Sequence, residues 1–362
     1  MSNPIKRIFD LYTSDLSYQE IEKLIKREAG EVYEFFAKDI PKSDQSRNKV
    51  SRGFIFLRSL FNAFLLKLTP GRRIFYLAAL LFFIVGYTSP HNGYVLLAFV
   101  ILNLLLAFEL ADKLTAKSEL DVARKIQFDL IPKHSPKIFN YEIVSYYEPA
   151  REVGGDYYDV IETPEQSYLF IGDISGKGMA AALYMVRVQA ILYLLLESFT
   201  SVKEILINLK KYFSKNLRRE YFLTLTAALI SKDGKITLSR AGHLPTYWFK
   251  YETKEVVAFC PQGMGIGLND KGIFEKMLEE ITFQPLTNDI VFFFTDGLSE
   301  TMNIVNNLFG EERIKIVIQN NIDKTAEEIK SALLKAVTDY RGTAFQNDDM
   351  TFLILKSCHS DS

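Results

Sequence analysis

Four short acidic segments in the second half of this chain constrain its fold more than any other feature: Gly154-Gly155-Asp156, Gly172-Asp173-Ile174-Ser175-Gly176, Thr295-Asp296-Gly297 and Asn347-Asp348-Asp349-Met350. Each sets an aspartate beside glycine or in a short polar turn, and apolar runs at 168–171, 290–294 and 350–355 read as the adjoining β-strands. The carboxylates therefore sit at strand ends, where active sites are built. Four of them so placed repel one another unless cations hold them together, and hard divalent cations are the natural counter-charge.

At 362 residues the chain has room for more than one domain, and 48% hydrophobic with 24% charged residues is enough for a sizeable core. A formal net charge of −1 argues against a nucleic-acid partner, which calls for a basic stripe. Cys260 and Cys358 stand far apart and match no metal or redox spacing, as in a reducing compartment. His91, His134, His243 and His359 include no pair at ligand spacing, so a zinc site is not expected and the chemistry must run on carboxylates.

Composition divides the chain. Residues 1–49 are charged and helix-patterned, with Ile21, Leu24 and Ile25, then Val32, Phe35 and Phe36 at helical spacing, and carry nothing catalytic. Residues 50–68 interleave bulky apolar residues with Arg52, Arg58 and Lys67, as an interfacial amphipathic helix does; the alternative is a buried helix. Within 74–110, two almost charge-free segments, 74–87 and 94–110, flank a Thr88-Ser89-Pro90-His91-Asn92-Gly93 turn and predict a transmembrane helical hairpin. The first segment is short and suits a tilted, snorkelling or re-entrant helix. Lys67, Arg72 and Arg73 precede the hairpin, Lys113 and Lys117 follow it, and the turn has neither Lys nor Arg. The positive-inside rule then gives a multi-pass protein of the inner (cytoplasmic) membrane with its N-terminus and catalytic domain in the cytoplasm. No cleavable signal peptide is expected, because the N-terminus is polar. Residues 111–135 form a linker in which Leu120, Ala123, Ile126 or Gln127, and Leu130 repeat at helical steps until Pro132 and Pro136. This helix is either a plain spacer or, the favoured reading, a short coiled coil that makes a homodimer.

The globular domain, 141–356, alternates strands (141–147, 168–172, 223–230, 235–240, 246–249, 289–295, 350–355) with helices (179–197, 202–217, 311–319, 325–340). Hairpins such as 223–230 with 235–240, joined through Lys232-Asp233-Gly234, point to antiparallel sheets, so a layered α+β fold fits better than a doubly wound one.

Over about residues 119–355 the pieces resemble the SpoIIE-type, RsbU-like branch of the metal-dependent protein Ser/Thr phosphatases, the PPM family. The resemblance rests on motifs in the family's order: Leu120-Asp121-Val122-Ala123-Arg124-Lys125-Ile126-Gln127 before Ile131-Pro132, Glu152-Val153-Gly154-Gly155-Asp156-Tyr157-Tyr158-Asp159, Gly172-Asp173-Ile174-Ser175-Gly176-Lys177-Gly178, Ala241-Gly242-His243-Leu244-Pro245, Phe294-Thr295-Asp296-Gly297-Leu298-Ser299-Glu300 and Asn347-Asp348-Asp349-Met350-Thr351. It implies a β-sandwich of two antiparallel sheets flanked by helices. It also implies two divalent cations, Mg²⁺ or Mn²⁺, with Asp156 and Asp173 shared between them, the Ile174 backbone carbonyl as a further ligand, and Asp296 and Asp348 completing the second ion. Two such ions activate a bridging water for in-line attack on phosphorus, so no cysteine or histidine nucleophile is required.

Arg151 matches the place of a phosphate-gripping arginine in relatives outside this branch, with an ordinary surface arginine as the alternative. Asp159 reads as a helper carboxylate or a strand-end cap, Asp349 as an outer-shell partner of Asp348, and His243 as a turn-stabilising residue rather than an acid catalyst. Lys177 stands in a glycine loop one residue short of a Walker A motif and lacking its Ser or Thr, which rejects a nucleotide loop. Two rival functions remain: a degenerate, non-catalytic scaffold, and a diguanylate cyclase, whose GGDEF loop Gly154-Gly155-Asp156-Tyr157-Tyr158 only partly echoes. The expected target, by resemblance, is a phosphorylated STAS-domain anti-sigma-factor antagonist, dephosphorylated in a partner-switching pathway that frees a sigma factor.

Overall fold

The computed structural model describes residues 49–88, 93–132, 137–269 and 271–358, so the helical region expected over 1–49, Lys49 apart, and the turn at 89–92 lie outside the described residues. Two compact units divide the chain, 1–115 and 116–362.

In the first unit, helix α1 (Lys49–Lys67) is followed by α2 (Pro70–Thr88) and by α3 (Gly93–Leu130), whose last turns belong to the second unit. Pro70 opens α2, where the missing N–H costs no helical bond. The Arg73 guanidinium donates to the carbonyls of Leu66 (2.7 Å) and Leu68 (2.9 Å), satisfying orphan acceptors at the end of α1. Arg72 pairs with Glu109 (2.9 Å) and Asp112 (2.7 Å), and Phe82 stacks on Tyr94, so α2 and the first half of α3 lie side by side as a hairpin. Both helices are long and apolar enough to cross a membrane. The second apolar segment and the linker are one uninterrupted helix of 38 residues, because no Gly or Pro interrupts 94–130.

The second unit is an α-β-β-α sandwich, as expected. Its strands are β1 (Lys137–Ile138), β2 (Tyr141–Glu148), β3 (Tyr157–Glu162), β4 (Gln166–Ile174), β5 (Leu223–Ser231), β6 (Ile236–Ala241), β7 (Thr246–Phe249), β8 (Val256–Phe259), β9 (Glu280–Phe283), β10 (Ile290–Phe294) and β11 (Met350–Ser357). They form one sheet in the order β1-β2-β11-β10-β7-β8 and a second in the order β3-β4-β5-β6-β9, every pairing antiparallel. Helices α4 (Met179–Leu196) and α5 (Val202–Phe213) cover the second sheet; α6 (Phe274–Met277) and α7 (Asp296–Ser299) are single turns; α8 (Glu311–Asn320) and α9 (Ala326–Arg341) cover the first sheet.

Strand β10, Ile290 to Phe294, is apolar throughout because both its faces are covered. Val291 and Phe293 join Leu353 and Leu355 of β11 in the core between the sheets, while Ile290, Phe292 and Phe294 pack with Ile314 and Ile318 of α8 and Leu333 of α9. Helix α4 also has the length and apolarity of a membrane span, yet Met185, Val188 and Leu192 are buried in the sandwich core. Composition alone does not separate a core helix from a span.

Candidate metal centre

Chain direction brings the acidic segments together. Asp156 immediately precedes β3, and Asp173 is the penultimate residue of β4; Tyr157 and Gly172 are cross-strand partners, so these two acids share one end of the second sheet. Asp296 opens α7 just beyond β10, while Asp348 and Asp349 lead into β11, the antiparallel neighbour of β10. The two sheets are tied at this end. Thr295 Oγ1 and Thr351 Oγ1 both donate to Oδ2 of the fully buried Asp156, at 2.7 and 2.5 Å.

Asp349 has a different job from its neighbour. Its buried carboxylate accepts from the backbone N–H of Ala150 (2.7 Å) and of Gly155 (2.6 Å), pinning the loop that carries Asp156. Glycine is required where this loop packs: a Cβ on Gly154 would lie 2.6 Å from Asp349 Oδ2, and one on Gly155 would lie 2.9 Å from the Ile174 carbonyl oxygen. That carbonyl therefore faces the Gly154-Gly155-Asp156 turn. Asp348 accepts from the Asp349 N–H through Oδ1 (3.0 Å), and its Oδ2 lies 2.7 Å from Lys177 Nζ, which also contacts the Asn347 carbonyl. Arg151, next to the tethered Ala150, is exposed.

The electrostatics are those of an under-neutralised cluster. Burial, then the charges of Asp173 and Asp349, push the Asp156 carboxyl well above the usual carboxylate range. Asp173 is pushed up to about 7 by burial and by Asp296, Asp348 and Asp349. Asp296 is raised by burial, Asp348 and Glu300, and Lys177 opposes the shift. Among the described residues no three such side chains are already closed on one point. The donor chemistry nonetheless fits hard divalent cations: every donor is oxygen, and mutual repulsion is what a cation would relieve. Asp156, Asp173, Asp296, Asp348 and the Ile174 carbonyl are the groups available to hold one.

Other candidates separate from the cluster. Asp159 accepts from Tyr157 Oη (3.1 Å), Gln189 Nε2 (3.2 Å) and its own following N–H at Val160 (2.8 Å), so it is a buried structural acceptor facing α4. His243 lies 2.9 Å from Thr224 Oγ1 through Nδ1, and burial pushes its pKa down to about 4, keeping the ring neutral. Gln127 stands in the sequence as a possible member of the linker's apolar stripe and as the last residue of the Leu120 to Gln127 motif, neither of which assigns it a role at the site. It is buried and Ile126 is exposed; its amide donates to the Gly154 carbonyl (2.7 Å) and accepts from the Gly154 N–H (3.1 Å). Gln189 of α4 similarly donates to the Leu130 carbonyl at the end of α3 (2.8 Å).

A sandwich of two antiparallel sheets between helix pairs, with an all-oxygen acidic cluster where both sheets end, defines the class of fold: that of the PP2C-type phosphatase domains. The chain belongs to the SpoIIE family, whose signature, described as Stage II sporulation protein E (SpoIIE), matches residues 163–357, more than half of its length. It is 24% identical over 245 residues to the phosphoserine phosphatase RsbU of Bacillus subtilis, covering 66% of this chain and 70% of RsbU. It spans 43% and 59% of the length of two further relatives. The fold is shared with the PP2C domain of SiaA from Pseudomonas aeruginosa (TM-score 0.59, 20% identity, 68% of this chain and 98% of that one). It is also shared with the PP2C phosphatase domain of SpoIIE from Bacillus subtilis, solved with a fragment of its regulatory domain (TM-score 0.52, 21% identity, 61% and 64%).

The crowded carboxylates make the cation-free protein sensitive to pH. Asp173 binds its proton more tightly folded than unfolded, so its contribution to stability is complete below the ordinary carboxylate value of 3.8 and is lost as pH rises through about 7. Urea unfolding in EDTA between pH 4.5 and 8 is expected to show this loss, and Asp173→Asn is expected to flatten it. A variant profile parallel to wild type would mean that Asp173 is not under electrostatic strain.

Proposed function

We propose that this chain hydrolyses phosphoserine and phosphothreonine in a folded protein, using two Mg²⁺ or Mn²⁺ ions held by Asp156, Asp173, the Ile174 carbonyl, Asp296 and Asp348. The observation that carries the reading is the convergence of these acids from both sheets, where Asp173 raises the proton affinity of Asp156, Asp296 and Asp348 raise that of Asp173, and Asp348 raises that of Asp296. Bound ions would supply an activated water and charge stabilisation at the phosphoryl group. The protein's part is positioning: Thr295 and Thr351 fix one oxygen of Asp156, Asp349 anchors the 150–155 loop, and to Arg151, exposed on that loop, we assign the grip on phosphate.

The named activity of RsbU, a phosphoserine phosphatase, supports the substrate class. The substrate is a phosphorylated STAS-domain protein in a partner-switching pathway. Helices α2 and α3 anchor the chain in the cytoplasmic membrane with the catalytic domain, and the N-terminal region, on the cytoplasmic side, and the lower half of α3 pairs with its copy in a homodimer. The basic residues flanking the hairpin and the apolarity of both helices support the anchor.

A small aryl phosphate tests the chemistry. Hydrolysis is expected to stop in EDTA and return with Mn²⁺. No hydrolysis with any divalent cation would favour the non-catalytic scaffold, and conversion of GTP would favour the cyclase.

A further inference from the structure

Lys177 places a positive charge directly on the acidic cluster. It stands between Gly176 (φ 99°) and Gly178 (φ 75°), in the loop that links Asp173 to α4, outside any strand or helix. From there its ammonium crosses to the other sheet's loop, 2.7 Å from Asp348 Oδ2 and in contact with the Asn347 carbonyl. Asp348 then has both oxygens engaged, because Oδ1 accepts the Asp349 N–H. A divalent ion taking Asp348 would stand within a few ångströms of that ammonium, and the repulsion between two cations so close makes them compete for the carboxylate. The lysine can leave at little cost. Its side chain is 38% exposed, its stem is flexible, and the bonds it gives up are at the surface.

We propose that Lys177 is an exchangeable counter-cation: its ammonium holds the Asp348 loop against the Asp173 loop when no divalent ion is bound, and yields Asp348 when one binds. This rests on the metal-dependent reading above and adds to it a competition built into the chain. The cluster is thereby kept ordered while empty, in exchange for weaker metal binding. An ordinary surface ion pair would make no such link to affinity.

The test is Mn²⁺ binding by calorimetry at fixed pH to the full-length protein, as wild type, Lys177→Met and Lys177→Arg, with urea unfolding in EDTA to establish that each is folded. Lys177→Met keeps the apolar stem without the charge and is expected to bind Mn²⁺ about fivefold more tightly, the equivalent of an exposed pair of about 1 kcal/mol. Lys177→Arg keeps the charge and is expected to stay near or below wild-type affinity. If wild type binds Mn²⁺ and Lys177→Met binds it no more tightly, the counter-cation role is wrong and the phosphatase reading stands. If none of the three binds, both fall.

Discussion

Replacing Asp296 by Asn is expected to lower phosphatase turnover by at least about two orders of magnitude, roughly 2.7 kcal/mol of barrier, without unfolding the protein. The backbone explains why the fold survives: the Asp296 carbonyl accepts the Glu300 N–H (2.7 Å) and Ser299 Oγ (3.1 Å), which build α7 and do not need the carboxylate. Electrostatics explain why the loss is large. The Asp296 carboxylate lies partly buried among Asp173, Asp348 and Glu300, and an amide of the same shape has no charge to offer a cation. For the same reason the cation-free variant should be at least as stable as wild type, since one repelling charge is gone. Turnover on an aryl phosphate under Mn²⁺ should therefore fall while the thermal unfolding midpoint in EDTA does not. Near-normal turnover would remove Asp296 from the centre.

The features legible in the sequence were those set by local chemistry. Apolar runs beside acidic turns gave β4, β10 and β11, and the helical periods gave α4, α5, α8 and α9 to within a few residues at most of their ends. The four-residue β7 was read at its observed bounds, but the edge strands were missed: β1 has two residues, while β8 (Val256–Phe259) and β9 (Glu280–Phe283) have four each and take their definition from the neighbours they pair with. Strand β3 was missed because Asp159, buried against Gln189, interrupts its apolar pattern. The site's supporting bonds were invisible for a different reason. Thr351 and Asp156 are 195 residues apart, Asp349 and Gly155 are 194 apart, and Lys177 and Asn347 are 170 apart. No local pattern encodes such pairings. The acids could be picked out singly, whereas the threonines, Gln127 and the role of Lys177 needed the fold.

Substrate selection is expected to come from docking rather than from the reacting group. The acids end in loops whose outer members, Lys177 and Asp348, are partly exposed. Beyond α7 a hairpin runs from Thr301 to Phe309, closed by the Phe309 N–H on the Thr301 carbonyl, and its tip presents Ile304 and Val305 at 72% and 65% exposure. Two adjacent apolar side chains so exposed, eight and nine residues after Asp296, suit a folded protein surface better than an extended peptide. Contacts of that kind supply orientation at the phosphoryl group, so losing them should lower kcat as well as raise KM. A phosphorylated STAS domain is therefore expected to be hydrolysed with kcat/KM at least about 100-fold above that of a short phosphopeptide copied from its site, and a phosphotyrosine peptide to be poorer still. All three are compared under Mn²⁺ with one preparation of the protein. The domain's advantage should shrink in an Ile304→Asp/Val305→Asp variant while its rate on an aryl phosphate holds. Equal rates on the three substrates would describe a general phosphatase whose selectivity comes from where it is held.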